Sequence, residues 1–175
     1  VSQFIPDGHE IITTSQAIAN EDIFTRNIII PAYSANLKIT AVIITDGNNN
    51  ILMPGESGTL NVTVRNDGGS AAVNINALLT SIDPFITIIQ GNGVLDTLFS
   101  FTSQSIEFQV SILTSCPLGH ITLAALHLTA EHNYSSADSV YFNVGIIAED
   151  FETADFTKYP WHFSGNADWV INTVL

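Results

Sequence analysis

Positive charge is nearly absent from this chain. Arg26, Lys38, Arg65 and Lys158 are its only Lys and Arg residues, against 17 Asp and Glu, and the formal net charge is −13 at pH 7. So few cations leave no basic face to neutralise phosphates, which argues against nucleic acid as a partner and equally against an anionic membrane surface. Cysteine is missing except for Cys116, so no disulfide can close within the chain. No apolar run approaches the roughly 20 residues of a transmembrane helix, and membrane insertion is not expected. A basic segment leading into an apolar one, the mark of a secretory leader, is also lacking. The chain nonetheless reads as an excised piece of a longer protein, because it stops at Trp169-Val170-Ile171-Asn172-Thr173-Val174-Leu175 as if in mid-strand.

What is present is apolar and β-prone. Hydrophobic residues make up 46% and charged residues 12%, enough to bury a core. Ile, Val, Leu and Phe supply the apolar part and Thr, Ser and Asn the polar part, a mixture that favours strands. Period-two alternation recurs: Leu60, Val62 and Val64 against Asn61, Thr63 and Arg65; Val73, Ile75, Ala77 and Leu79 against Asn74 and Asn76; Phe108, Val110 and Ile112; Val140, Phe142 and Val144. One apolar and one polar face per strand describes a sheet covered on one side by another sheet. Turn signals fall between these runs at Asp46-Gly47, Pro54-Gly55, Asn66-Asp67-Gly68-Gly69, Asp83-Pro84, Gly91-Asn92-Gly93 and Pro117-Leu118-Gly119. No run has a helical period. The expected fold is all-β: an immunoglobulin-like β-sandwich of about seven antiparallel strands, without the Cys-Trp-Cys hallmark of antibody domains.

Three segments are expected. Residues 1–33 hold two apolar runs around Ala19-Asn20-Glu21-Asp22, a hairpin signature. Pro6-Asp7-Gly8-His9 at its head matches Pro117-Leu118-Gly119-His120, and each is followed by a strand, a polar turn and a second strand. The first segment therefore reads as the closing hairpin of a preceding repeat. Residues 34–146 form the complete sandwich. Residues 147–175 carry both tryptophans, Trp161 and Trp169, and read as the start of a different domain. The aromatics of this tail could serve carbohydrate stacking, although aromatics more often fill a core.

No catalytic constellation emerges. Cys116 and His120 flank a Pro-Gly corner, but no third group orients the base a thiol nucleophile would need. His9, His120, His127, His132 and His162 show no HxH or HExxH spacing, so zinc is not expected. Asp46, Asn48 and Asn50 alternate like the first ligands of a calcium loop, and Glu56 could fold back toward them. Ile51 stands where such a loop needs glycine, and the competing reading is an Asn-rich turn that satisfies its own backbone. Glu149, Asp150 and Glu152 form a second acidic cluster, a further candidate for calcium or a solvated linker. Calcium is thus the one cofactor the sequence brings into view.

The order Asp46-Gly47-Asn48-Asn49-Asn50, Met53-Pro54-Gly55-Glu56 and Leu60 through Gly68, with Ser81-Ile82-Asp83-Pro84-Phe85 and Cys116-Pro117-Leu118-Gly119-His120, resembles the CARDB-like, immunoglobulin-like domain of gingipain-like secreted bacterial cysteine peptidases and related surface proteins. Glu149 through Asn166 resembles the entry to the cleaved-adhesin or MAM-like jelly roll that often follows, in which an acidic group near the entry helps hold calcium. The resemblance implies export to the cell surface and a non-catalytic spacer that supports neighbouring peptidase or adhesin domains of the same polypeptide. An adhesion module that binds host extracellular protein or glycan through sandwich-end loops is the alternative. A wall shaping access to a neighbouring active site is a third possibility.

Overall fold

The computed structural model describes residues 5–145 and 164–166. The acidic group Glu149, Asp150 and Glu152, the tryptophans and all of the jelly-roll-like segment but residues 164–166 lie outside the described residues. Among the described residues there are ten strands and no helix.

Strands β1 (His9–Ala19) and β2 (Asp22–Ala32) form an antiparallel hairpin in register from His9↔Ala32 to Ala19↔Asp22. Asn20 and Glu21 close it with φ of 50° and 71°, the left-handed pair that a two-residue turn needs to follow the strands' twist. Eight further strands build the sandwich: β3 (Leu37–Thr45), β4 (Ser57–Asn66), β5 (Ala72–Thr80), β6 (Ile86–Gln90), β7 (Asn92–Leu98), β8 (Ser103–Ile112), β9 (Ile121–Ala130) and β10 (Tyr134–Asn143). One sheet has the order β10-β9-β5-β7 and the other β3-β4-β8-β6, with every pairing antiparallel.

The alternating residues meet between the sheets. Leu60, Val62 and Val64 of β4 and Phe108, Val110 and Ile112 of β8 are buried from one side; Ile75, Ala77 and Leu79 of β5, Leu126 and Leu128 of β9, and Val140 and Phe142 of β10 close from the other. Phe108 is the largest of the fully buried side chains. Dispersion and the removal of this apolar surface from water hold the two sheets together.

Two details depart from the alternation rule. Asn74 takes a φ of 52° inside β5, which breaks the pleat, and Ala72 rather than Val73 faces the core. The expected turn Gly91-Asn92-Gly93 shrinks to Gly91, with Asn92 and Gly93 already in β7. The chain changes sheets there, held by the Leu79 N–H donating to the Gly91 carbonyl at 2.8 Å. The sandwich thus has eight strands where about seven are expected.

Phe108→Ala should lower stability by about 3–5 kcal/mol through lost transfer energy and an unfilled cavity. Ile82→Ala, at a side chain 97% exposed, should stay within about 0.5 kcal/mol. Urea denaturation of both variants checks the pair.

Candidate functional site

The hairpin meets the sandwich at a polar clamp built around Asn66, the last residue of β4. Its side chain is fully buried, so each of its polar atoms needs a partner. All find one. Oδ1 accepts the N–H groups of Asn36 and Gly68, both at 3.0 Å, and Nδ2 donates to the carbonyls of Ser70 at 2.8 Å and Leu98 at 3.1 Å. The backbone N–H donates to Thr102 and the carbonyl accepts from Phe101. One side chain thereby fixes residues 34–36, which carry the hairpin, against the 67–70 turn. That contact is close enough to require Gly68: a Cβ there would overlap the Ser34 carbonyl.

Asp7, at the head of the hairpin, completes the clamp. Its Oδ1 accepts the Ser34 N–H at 2.9 Å and the Gly69 N–H at 3.0 Å. The Ser70 N–H donates to the Ser34 carbonyl, the Asp67 N–H to Asn36, and the Leu37 N–H to the Tyr134 hydroxyl at 2.7 Å. Beside the clamp lies an open groove of about 660 Å³ lined by Tyr33, Ser70, Val73, His132 and Tyr134, among others.

The two Pro-x-Gly-His turns are built alike. The Gly8 N–H donates to Ala32 and the His9 N–H to Pro6; the Gly119 N–H donates to Val144 and the His120 N–H to Pro117. Gly8 and Gly119 have φ of 75° and 77°, a left-handed conformation that glycine adopts without strain. Each turn leads into a hairpin, β1–β2 in one case and β9–β10 in the other.

The second turn carries the chemistry the sequence brings closest to catalysis. Asp83 supplies the orienting group that appears missing in sequence: His120 Nε2 lies 2.9 Å from Asp83 Oδ2. A carboxylate can only accept, so the imidazole N–H donates. Asp83 also accepts from the Phe85 N–H at 3.0 Å and the Leu123 N–H at 3.3 Å, and the Phe85 ring meets the His120 ring edge-on. Burial raises the Asp83 pKa, but these donors outweigh it and leave the carboxyl below its ordinary 3.8. Cys116 shares this corner, and the Asp83 carboxylate lies close enough to act on its thiol. It is 5% exposed, and burial, reinforced by the Asp83 charge, pushes its thiol pKa up, away from the reactive thiolate.

In the acidic loop, Asp46 Oδ1 accepts the N–H groups of Asn48 at 2.8 Å and Asn50 at 2.9 Å, and Asn49 caps the Ile51 N–H. Those hydrogen bonds lower the Asp46 pKa. Asp46 Oδ2 has no hydrogen-bond partner among the described residues. Glu56 turns back on the Pro-Gly corner, where Oε2 accepts the Met53 N–H at 2.9 Å. The loop therefore uses its side chains as an Asx turn does, and among the described residues no three His, Cys, Asp or Glu gather as a metal-holding group.

Comparisons with protein-family models and with curated proteins found no match. Among solved structures, a FixG-related protein from Vibrio parahaemolyticus is similar at 12% identity and a TM-score of 0.35, over 65% of this chain and 97% of that one. Spo0M, a sporulation control protein from Bacillus subtilis, is similar at 13% identity and the same TM-score, over 67% of this chain and 51% of that one.

Asn66→Ala should cost about 2–4 kcal/mol, since it leaves buried N–H and C=O groups unpaired; thermal or urea unfolding reads it. Asp83 gives an acid signature. Its folded-state pKa is depressed, so its contribution is complete above 3.8 and is lost as pH falls through the lowered value. Asp83→Asn should therefore flatten the acid limb of the stability curve below about pH 4, read as the urea midpoint against pH.

Proposed function

We propose that this chain is a non-catalytic structural module of a secreted or cell-surface multidomain bacterial protein, whose task is to hold neighbouring domains of the same polypeptide, peptidase or adhesin, in fixed succession. The observation that carries the reading is the clamp. A flexible spacer would join its units through exposed Gly- or Ser-rich chain. Here Ser34 and Asn36 of the connecting stretch are hydrogen-bonded to Asn66, Asp67 and Ser70 of the sandwich, and Asp7 bridges Ser34 to Gly69. The likeness of the two Pro-x-Gly-His turns supports a chain of similar units, with residues 1–33 closing the one before. The resemblance to CARDB-like domains supports the secreted setting. The buried Cys116, its thiol pKa pushed up by burial, accords with a structural corner.

The groove beside the clamp favours a second reading, adhesion to host protein or glycan at this end of the sandwich. Its volume is in the range of small-molecule sites, and Tyr33 and Tyr134 offer aromatic surface to it.

Asp7→Ala should leave the sandwich within about 0.5 kcal/mol of the parent, because it removes contacts at exposed positions. Residual dipolar couplings should show the hairpin reorienting against an unchanged sandwich. Hairpin couplings in the parent chain that are averaged well below those of the sandwich would sink the fixed-junction reading. Saturable glycan binding abolished by Tyr33→Ala would install the adhesive one in its place.

A further inference from the structure

The hairpin β1–β2 is bare. Every residue of β1, and all of β2 but Ala32, is exposed, including Ile12, Ile18, Ile23, Phe24, Ile28, Ile29 and Ile30. A two-stranded hairpin with two free edges and apolar residues on both faces is marginal in water and invites pairing. The question is what covers it, and the same chain holds the answer in its second copy of the turn.

Aligning His9↔Ala32 with the matching end of β9–β10, where the Val144 N–H donates to the His120 carbonyl, sets the correspondence. Ile11, Ile28 and Ile30 then fall at the positions of Thr122, Val140 and Phe142, all buried against the opposite sheet. Ile12 and Ile29 fall at Leu123 and Tyr141, which are exposed in the intact sandwich at 42% and 57%. By position the two faces of the bare hairpin are therefore not equivalent: Ile11, Ile28 and Ile30, with Thr13 and Ser15 beside them, stand at places that are covered in the intact sandwich, and Ile12 and Ile29 at places that are open. The edges follow suit. Thr14–Ile18 corresponds to the stretch Ala125–Thr129, which pairs with Thr80–Asn76 of β5.

We propose that β1–β2 is a docking surface for the remainder of a sandwich of this same kind, carried ahead of it on the same polypeptide. A β5-like strand adds antiparallel along the Thr14–Ile18 edge of β1, and a β4/β8-like sheet covers Ile11, Ile28 and Ile30. A second copy of this chain cannot supply the β5 strand, because its own β5 is already paired on both edges, with β7 and β9. The proposal rests on the reading of the chain as one of a succession of similar units, and it adds the face, the edge and the strand that fit.

The test is to place a copy of residues 34–116, which supply the β3–β8 strands and stop short of Pro117, directly ahead of Pro6 in the full chain. Hydrogen exchange is then read at the amides of Thr14–Ile18 that face away from β2. Those amides should exchange fast in the 175-residue chain and at least about 100-fold slower in the extended one. Ile28→Glu should abolish that protection. Fast exchange in the extended chain, whether the added strands are folded or not, overturns the proposal, since the hairpin then does not complete them. A parallel extension carrying residues 34–145 shows that the added strands fold when given their own hairpin. Concentration-dependent dimerisation of the 175-residue chain that protects Thr14–Ile18 would also overturn it, in favour of self-pairing. The amides of Ser34 and Gly69 separate the two levels. Protection there with an unprotected β1 edge removes the docking alone, and loss of protection at both removes the reading of a fixed succession of units as well.

Discussion

The buried carboxamide of Asn66 is the constraint on which the junction end of this fold depends. A fully buried amide tolerates no missing partner, because each orphaned donor or acceptor loses its hydration without recompense. Asn66 is satisfied only when four backbone stretches lie in their observed places: the incoming linker at Asn36, the 68–70 turn, the end of β7 at Leu98, and the Phe99–Thr102 corner that meets its backbone. The energetic penalty therefore acts on geometry. Any reorientation of the linker breaks several hydrogen bonds together, which converts a covalent connection into a directed one.

The same turn sequence heads two hairpins in very different surroundings, and this isolates what local chemistry determines. Pro6–His9 and Pro117–His120 form the same hydrogen bonds with glycine in the same conformation. Turn geometry is thus set by the four residues themselves. Burial is not. β9–β10 has its inner face under the opposite sheet and β1–β2 lies open. In free-energy terms the turns are local and the sandwich is collective, so the bare hairpin should sit at the low end of the molecule's stability spectrum.

What was legible in the sequence divides along the same line. Period two places Leu60, Val62, Val64, Phe108, Val110 and Ile112 correctly, because an unbroken pleat can only alternate. Val73 is misplaced by one left-handed residue, Asn74, whose conformation no propensity scale dictates. The β1–β2 hairpin and its match to the later turn are readable, since both rest on contiguous residues. Asn66 is not: it stands in a conventional Asn-Asp-Gly-Gly turn, and its role comes from Asn36 and Leu98, far away in the chain. Asp83 is hidden in the same manner. Its Pro84 neighbour announces a loop, but only the fold brings it to His120.

The two Pro-x-Gly-His turns also differ in one position, and that difference gives the two ends of the sandwich different chemistry. Asp7 faces Ser34 and Gly69 with a carboxylate, so the first junction is held by charge-assisted hydrogen bonds that depend on direction. Leu118 occupies the matching place in the second turn and packs on Gly145 together with Met53. An apolar contact of that kind is indifferent to salt and to angle over a wider range. The first junction thus adds a side-chain carboxylate to its backbone hydrogen bonds, whereas Gly145 combines the apolar seat with its own N–H donating to the Leu52 carbonyl at 2.7 Å. Both ends are therefore tied down by backbone hydrogen bonds, and what sets the first apart is the carboxylate that gathers two N–H groups on one side chain.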